Sequence, residues 1–146
     1  MALEPYSTAV LPEWIDYNGH LSEAYYVLVF GFATDAAMET LGLGPVYREA
    51  TSNSLYTVEA HVRYLDETGL GAELEVTTTV AGSGAKKLHL AHTMRVDGAV
   101  IATEEILGLH VSQETGKTLP FGQDILDAIE IHRDDPPDWN GRSITC

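Results

Sequence analysis

The chain has 146 residues, a length typical of one domain, and its 22 acidic residues against 8 lysines and arginines give a formal net charge of −14. Such a charge repels a polyphosphate backbone, so nucleic acid is not an expected partner. The single cysteine is the last residue, Cys146, so no intrachain disulfide can form and a reducing compartment is expected. The opening residues do not resemble a leader, and no apolar run approaches the roughly 20 residues of a membrane span. A cytoplasmic protein with no membrane contact is therefore expected.

The first elements predicted in chain order are a strand and a long helix. Residues Tyr6–Leu11 include β-branched side chains and end at Pro12, as a short strand would. Apolar residues then recur at helical spacing from Leu21 to Leu41 and cover nearly the whole circumference, so this helix should be buried on more than one side. The segment Gly42–Pro45 is expected to end it.

The rest of the chain is predicted to be mostly sheet. After a polar loop come four runs rich in Val, Thr, Leu and His, separated by glycine turns, and a closing amphipathic helix. The loop is expected at Glu49–Ser54, the strands at Leu55–Leu65, Ala72–Ala81, Lys87–Val96 and Val100–Val111, and the helix at Phe121–His132.

These elements predict one α+β domain over residues 1–133, followed by a poorly structured tail over residues 134–146. An antiparallel sheet of about five strands would wrap around the long helix. Because so narrow a sheet barely covers a helix that is apolar all round, a homodimer or homotetramer is expected.

Several common catalytic devices are missing from the sequence. It contains no Gly-x-Ser-x-Gly elbow, no His-Glu-x-x-His motif and no paired cysteines. His89 and His92 lie three apart in a predicted strand, so they should point to opposite faces and cannot chelate one ion together. Neither a metal nor a cofactor is expected.

The turn before the long helix is the remaining candidate. Asp16 precedes Asn18-Gly19, a pair that favours a tight reversal. Backbone amides at a helix start, with the positive end of the helix dipole behind them, suit a developing oxyanion, and a nearby carboxylate suits attack on a thioester. The residues alone also fit an ordinary N-cap or turn.

The motif Asp16-x-x-Gly19-His20, with Tyr26 in the helix that follows, resembles the Asp-x-x-Gly-His-x-Asn-Asn-x-x-Tyr signature of hotdog-fold acyl-CoA thioesterases of the 4-hydroxybenzoyl-CoA type. Segments Val58–Leu65 and Gly71–Val76 resemble that family's second and third strands, so the resemblance covers roughly residues 6–112. It implies a hotdog fold, sheets joined edge to edge in a dimer, and an active site at the subunit interface.

The resemblance further implies that Asp16 is the catalytic carboxylate, either a general base or a nucleophile, and that a backbone amide around Gly19 to Leu21 polarises the carbonyl. Where the family often has two asparagines, this chain has Ser22 and Glu23. Glu23 is either an ordinary first-turn acid or a group that assists Asp16 or attracts a cationic acyl group. His20 and Glu23 also leave a dehydratase open.

Aromatic residues cluster around the turn, and aromatic faces bind quaternary ammonium ions, although core packing is the alternative. The substrate-binding candidates are Trp14, Tyr17, Asn18, Tyr25, Tyr26 and Tyr56, and Tyr64 joins them as a further aromatic residue.

The string Pro12–Tyr26 most resembles the betainyl-CoA thioesterase branch associated with carnitine breakdown, which implies betainyl-CoA as substrate and a link to L-carnitine dehydrogenase. Another short-chain or aryl acyl-CoA thioesterase, and a non-catalytic acyl-CoA binding module, stay open. Arg63, Lys86 and Lys87 are the candidates for CoA phosphates, with Arg95 as a further cation; solvated turn lysines are the alternative.

Overall fold

A computed structural model, which describes residues 1–145, shows one antiparallel sheet of five strands curled around a long helix. This confirms the predicted α+β hotdog fold. Cys146 lies outside the described residues. The sheet has the order β1-β3-β4-β5-β2. The strands are β1 (Tyr6–Ala9), β2 (Asn53–Tyr64), β3 (Glu73–Ser83), β4 (Lys87–Val96) and β5 (Ala99–Ser112), and the helices are α1 (Glu23–Thr40), α2 (Pro45–Thr51) and α3 (Gln123–His132).

Helix α1 is apolar on nearly all sides, as predicted, but the sheet covers only part of it. Val29, Phe30 and Ala33 are buried against β1, β3 and β4. On the opposite side Val27 is 42% exposed, so an apolar stripe of α1 is left uncovered by residues 1–145. The helix ends as expected, since Gly42 adopts φ +84° and donates its amide to the Glu39 carbonyl.

Short helical segments flank the long helix. A 3-10 turn over Pro12–Trp14 follows β1. The prediction of a loop at Glu49–Ser54 is wrong, because Pro45–Thr51 forms helix α2. Proline has a fixed φ and no N–H, so it suits the first position of a helix. Tyr47 of α2 is tied to the sheet by a 2.7 Å hydrogen bond between its hydroxyl and His110 Nε2.

The two faces of the sheet have different environments. On the concave face His92 stacks on Phe30 of α1, and its ring nitrogens lie 2.8 Å from the hydroxyls of Thr34 and Thr78. Burial lowers the pKa of His92 to about 3, so the ring is neutral. His89 points to the convex face, as predicted from its spacing to His92.

The C-terminal segment runs along the convex face. Residues 134–145 contain no helix or strand. The Asp134 amide donates to the Val80 carbonyl, and the amides of Gly141 and Arg142 donate to the Glu105 carboxylate at 2.8 and 2.9 Å. The same carboxylate lies 3.0 Å from His89 Nε2.

Within residues 1–145 no single helix is long and apolar enough to cross a bilayer. Helices α1 and α2 together reach the required length and composition, but a 65° bend separates them.

Candidate active site

The segment between β1 and α1 closes into a tight loop that fixes Asp16. Ile15 and Leu21 form an isolated antiparallel bridge at its base. The Asp16 amide donates to the His20 carbonyl at 2.9 Å, and the Gly19 amide donates to the Asp16 carbonyl at 3.0 Å. Gly19 takes φ +80°, which a residue with a side chain adopts only with strain, so this glycine is required by the turn.

The two carboxylate oxygens of Asp16 have different partners. Oδ1 accepts the Asn18 amide at 2.9 Å and the His20 amide at 3.5 Å. Oδ2 accepts no hydrogen bond from residues 1–145. The loop therefore fixes the orientation of a half-buried carboxylate and leaves Oδ2 without a hydrogen bond from the described residues.

Some of the backbone amides expected to face a thioester carbonyl donate hydrogen bonds within the fold instead. Gly19 donates within its own loop, and Leu21 donates to the Thr68 carbonyl at 2.9 Å. Glu23 and Ala24, the first residues of α1, have amides without a partner in the described chain, and the N-cap side chain does not cover them. Glu23 and Ala24 are thus the residues at the start of α1 whose N–H groups are not used by the described chain.

Asp16 and the start of α1 open onto a cleft of about 730 Å³ that ends at the last residues of β2. Four carboxylates line it and no lysine or arginine does, so a cation is favoured there and an anion is not. The lining residues are Asp16, Tyr17, Leu21, Ser22, Glu23, Tyr26, Tyr64, Leu65, Asp66 and Glu67.

Two tyrosines form the aromatic wall of the cleft. The rings of Tyr26 and Tyr64 meet edge to face, with centroids 5.3 Å apart. Their hydroxyls donate to the carbonyls of Asp66 and Glu23 at 3.0 and 3.4 Å. Burial, and then the neighbouring carboxylates, raise the pKa of both phenols, so both remain neutral donors in the physiological range.

Tyr17 also lines the cleft, at its rim, where it is 97% exposed. The remaining predicted aromatic residues do not line the cleft. Trp14 is buried beneath the loop and stacks on Tyr25, with ring centroids 5.9 Å apart, so these two residues belong to the packed core. Asn18 is exposed at the loop tip, where its amide orients Asp16. Tyr56 is exposed elsewhere on β2 and is not part of the cleft.

His20 and Glu23 have separate positions at this site. Nδ1 of His20 lies 3.3 Å from Glu67 Oε2, so its ring supports the rim of the cleft. Glu23 lies exposed in the first turn of α1 and lines the cleft.

The basic residues predicted to bind CoA do not form one cluster within a chain. Lys87 is paired with Leu109, whereas Arg63 is paired with Thr103, six residues further back along β5, or roughly 20 Å. Lys86 and Lys87 are exposed at one end of the sheet. Arg63 lies at the other end, beside the C-terminal segment.

A second cavity of about 420 Å³, which the sequence did not predict, lies between the uncovered side of α1 and strands β2 and β5. Glu104 of β5 lines it, although this residue is only 4% exposed. Burial raises the pKa of its carboxyl to about 7. Neighbouring side chains in a strand point to opposite faces, so the Glu104-Glu105 pair in the sequence could have predicted that one of the two carboxylates faces inward.

A curled antiparallel sheet around one long helix is the hotdog architecture, and a carboxylate held just before that helix is consistent with the thioesterase motif. Residues 10–129 match the family model of the thioesterase-like superfamily, and the chain belongs to this superfamily. It is therefore a thioester hydrolase.

Two curated relatives and one solved structure make the comparison more specific. The chain is 42% identical to a betainyl-CoA thioesterase of Pseudomonas aeruginosa, over 97% of this chain and 94% of that protein. It is 40% identical to an L-carnitine dehydrogenase/betainyl-CoA thioesterase of Agrobacterium fabrum, over 90% of this chain but 28% of that longer protein. A Staphylococcus aureus protein solved in complex with CoA superposes with a TM-score of 0.92 at 26% identity, covering 100% of this chain and 96% of that one.

Proposed function

We propose that this thioesterase hydrolyses betainyl-CoA to glycine betaine and CoA, with Asp16 as the reacting carboxylate. The observation that carries the proposal is the free oxygen of Asp16 beside the uncovered amides of Glu23 and Ala24. The name of the Pseudomonas aeruginosa relative supports the choice of acyl group.

The geometry supports a direct mechanism. The thioester carbonyl oxygen would lie against the amides of Glu23 and Ala24, where the helix dipole stabilises the negative charge that develops. Asp16 would attack the carbonyl carbon and expel the CoA thiolate, giving a mixed anhydride that water then hydrolyses, or it would remove a proton from the attacking water. Both routes use the same orientation of the carboxylate.

The charge of the cleft supports a cationic acyl group. Glu23, Asp66 and Glu67 add three carboxylates to that of Asp16, and the rings of Tyr26 and Tyr64 offer aromatic surface. A quaternary ammonium gains from both features, because it is attracted by negative charge and by aromatic faces. A neutral acyl group can pack on the rings but gains nothing from the negative charge.

A dimer formed through β2 would complete the site. This strand is an edge of the sheet and has twelve residues, most of them half-buried or exposed, and an uncovered edge of this length pairs readily with another strand. The apolar stripe of α1 that includes Val27 lies next to it and would be covered at the same time. We expect a homodimer or a dimer of such dimers.

CoA itself would be held by cations outside the acidic cleft, for which Arg63, Lys86 and Lys87 remain the candidates. No cofactor is needed for this hydrolysis. Because the Agrobacterium fabrum relative carries both names in one chain, we propose that the enzyme works in the cytoplasm beside an L-carnitine dehydrogenase.

Asp16→Asn tests this function directly. The amide keeps the shape of the side chain but is a poor base and nucleophile, so thiol release from betainyl-CoA should fall at least about a thousandfold. Asp97→Asn makes the same chemical change at the exposed β4–β5 turn and should leave the rate unchanged. Near-normal turnover by Asp16→Asn would reject the mechanism, and binding of betainyl-CoA without turnover by the unaltered protein would favour a binding module.

A further inference from the structure

The C-terminal segment is fastened to the convex face of the sheet by one carboxylate. Glu105 of β5 is 8% exposed, and its two oxygens accept the amides of Gly141 and Arg142 at 2.8 and 2.9 Å. Gly141 adopts φ +76°, a conformation that lets two successive amides face the same anion. His89 Nε2 is a third partner of this carboxylate, at 3.0 Å. The position of Arg142 on the sheet is therefore built into the fold.

This anchor brings Arg142 to the part of β2 that carries Arg63. His61 of β2 is paired with Glu105, and Arg63 lies two residues further along the same face of the strand, or about 7 Å. Arg142, His61 and Arg63 line one surface cavity of about 300 Å³, whose other lining residues are uncharged. Among the described residues, no carboxylate lines this cavity.

The two guanidinium groups of this cavity have no acidic partner. Neither Arg63 nor Arg142 forms an ion pair or a side-chain hydrogen bond with residues 1–145. With 22 acidic residues against 8 lysines and arginines, the chain has many carboxylates that could have paired with them. Arginine presents a planar fork of N–H donors that matches phosphate oxygens. Two such forks beside a histidine are therefore suited to phosphate groups from outside the chain.

The cavity is within reach of the Asp16 cleft, past the end of β2. Tyr64 lines the cleft on the concave side of the strand, and Arg63, its neighbour in sequence, lies on the convex side. Because β2 ends at Tyr64, a ligand that leaves the cleft there passes only one sheet thickness, about 10 Å, to reach Arg63. The pantetheine arm of CoA has about twelve chain atoms between sulfur and phosphorus, as many as four extended residues, or about 14 Å. A thioester that reacts at Asp16 can therefore place its phosphates at Arg63.

We propose that the C-terminal segment, held by Glu105, supplies Arg142 to a site that it forms with Arg63 and His61, and that this site binds the phosphates of CoA. The proposal rests on the function proposed above, because it takes a CoA thioester as the ligand. It separates the two ends of the substrate by charge. The cationic acyl group lies in the acidic cleft, and the polyanionic nucleotide lies on cations at the opposite face of the sheet.

The test compares betainyl-CoA with betainyl-pantetheine, which has the same thioester but no phosphate. Arg63→Gln and Arg142→Gln should each raise KM for betainyl-CoA about tenfold and leave kcat within about twofold, because they remove charged donors far from the reacting atoms. Both should change kcat/KM for betainyl-pantetheine less than about twofold. Lys117→Gln removes one exposed positive charge from the segment after β5 and should change KM for neither substrate.

An unchanged KM for betainyl-CoA in both arginine variants, or the same loss on both thioesters, would overturn the site. A rise of about tenfold in Lys86→Gln would also overturn it, since Lys86 lies at the other end of the sheet and would then hold the phosphates.

Glu105 is tested as a positioning residue. Glu105→Gln replaces one acceptor oxygen by an N–H donor, so the side chain can no longer accept both amides of the C-terminal segment. It should raise KM for betainyl-CoA as Arg142→Gln does, with betainyl-pantetheine little affected. The double variant should show no further rise, because both changes remove Arg142 from the site. A full additional rise in the double variant would contradict a role of Glu105 through Arg142.

Direct binding of CoA separates failure of this site from failure of the proposed function. In calorimetry, which needs no turnover, Arg63→Gln and Arg142→Gln should weaken CoA binding about tenfold. A loss shared by dephospho-CoA assigns the cations to the diphosphate, and a loss confined to CoA assigns them to the 3′-phosphate. Unchanged CoA affinity in both variants would overturn the site. Weakened CoA binding in the variants, with no turnover of betainyl-CoA by the unaltered enzyme, would support the site and reject the acyl group.

Discussion

Two carboxylates, Asp16 and Glu104, have opposite environments. Asp16 is half-buried, with one oxygen held by the amides of Asn18 and His20 and the other free. Such hydrogen bonds hold the carboxylate in one orientation, which a base or nucleophile requires. Glu104 accepts no hydrogen bond from residues 1–145, and burial raises the pKa of its carboxyl to about 7.

Glu104→Gln should therefore stabilise the fold, and more so at high pH. The carboxyl ionises near 4.5 in the unfolded chain and near 7 in the folded one, so the free energy of unfolding falls as pH rises through that window. Removing this cost should raise the free energy of unfolding by up to about 3 kcal/mol at pH 8.5 and by less than half as much at pH 5.5.

Urea unfolding at fixed protein concentration measures this effect, with Glu75→Gln as the control for loss of one exposed charge. A gain in stability that is independent of pH would contradict the raised pKa. A loss of stability at pH 8.5 would show that Glu104 already has a partner in the folded protein.

At the scale of elements, the helices and strands with regular apolar periodicity could be predicted from the sequence, whereas a bulge within a strand could not. Strand β4 has the predicted bounds, and α1 is two residues shorter at its start because Leu21 pairs with Ile15. Tyr56 and Tyr64 were both named as aromatic candidates, and a spacing of eight would give them the same face of a regular strand. A bulge between Thr57 and Glu59 reverses the alternation, so only Tyr64 reaches the cleft.

The site was predictable where it lies within one continuous motif. The loop around Asp16 is local, so its residues could be recognised in order. The cleft wall from Asp66 and Glu67, and the cavity lined by Glu104, depend on contacts between segments distant in the chain. No short-range pattern encodes such contacts, although the paired acids Glu104 and Glu105 gave a partial signal.

Gly108 of β5 marks a close contact that positions β2. A Cβ at this residue would lie 2.8 Å from two side-chain carbons of buried Leu55, so Gly108→Ala should force that leucine to move and lower the free energy of unfolding by about 1–3 kcal/mol. Thermal or urea unfolding measures the change. Gly82→Ala is the matched control, because its Cβ would meet only His89 at an ordinary 3.7 Å. Equal stability of the two variants would contradict the packing described for β2.

At the scale of the whole molecule, a net charge of −14 opposes the approach of CoA, which is itself a polyanion. The cationic acyl group offsets only one of the substrate's charges. KM for betainyl-CoA should therefore fall several-fold between about 20 and 200 mM salt, because added ions screen the repulsion. Steady-state kinetics at several concentrations of sodium chloride test this, and a KM that rises with salt would indicate that local cations dominate substrate capture.

The acidic cleft and the aromatic wall lead to the same central claim, that this thioesterase selects a cationic acyl group. The most direct measurement is the ratio of kcat/KM for betainyl-CoA to that for 3,3-dimethylbutanoyl-CoA with the unaltered enzyme. The two acyl groups have the same shape and differ by one charge. A ratio of about ten or more is expected, whereas a ratio near or below one would contradict the claim.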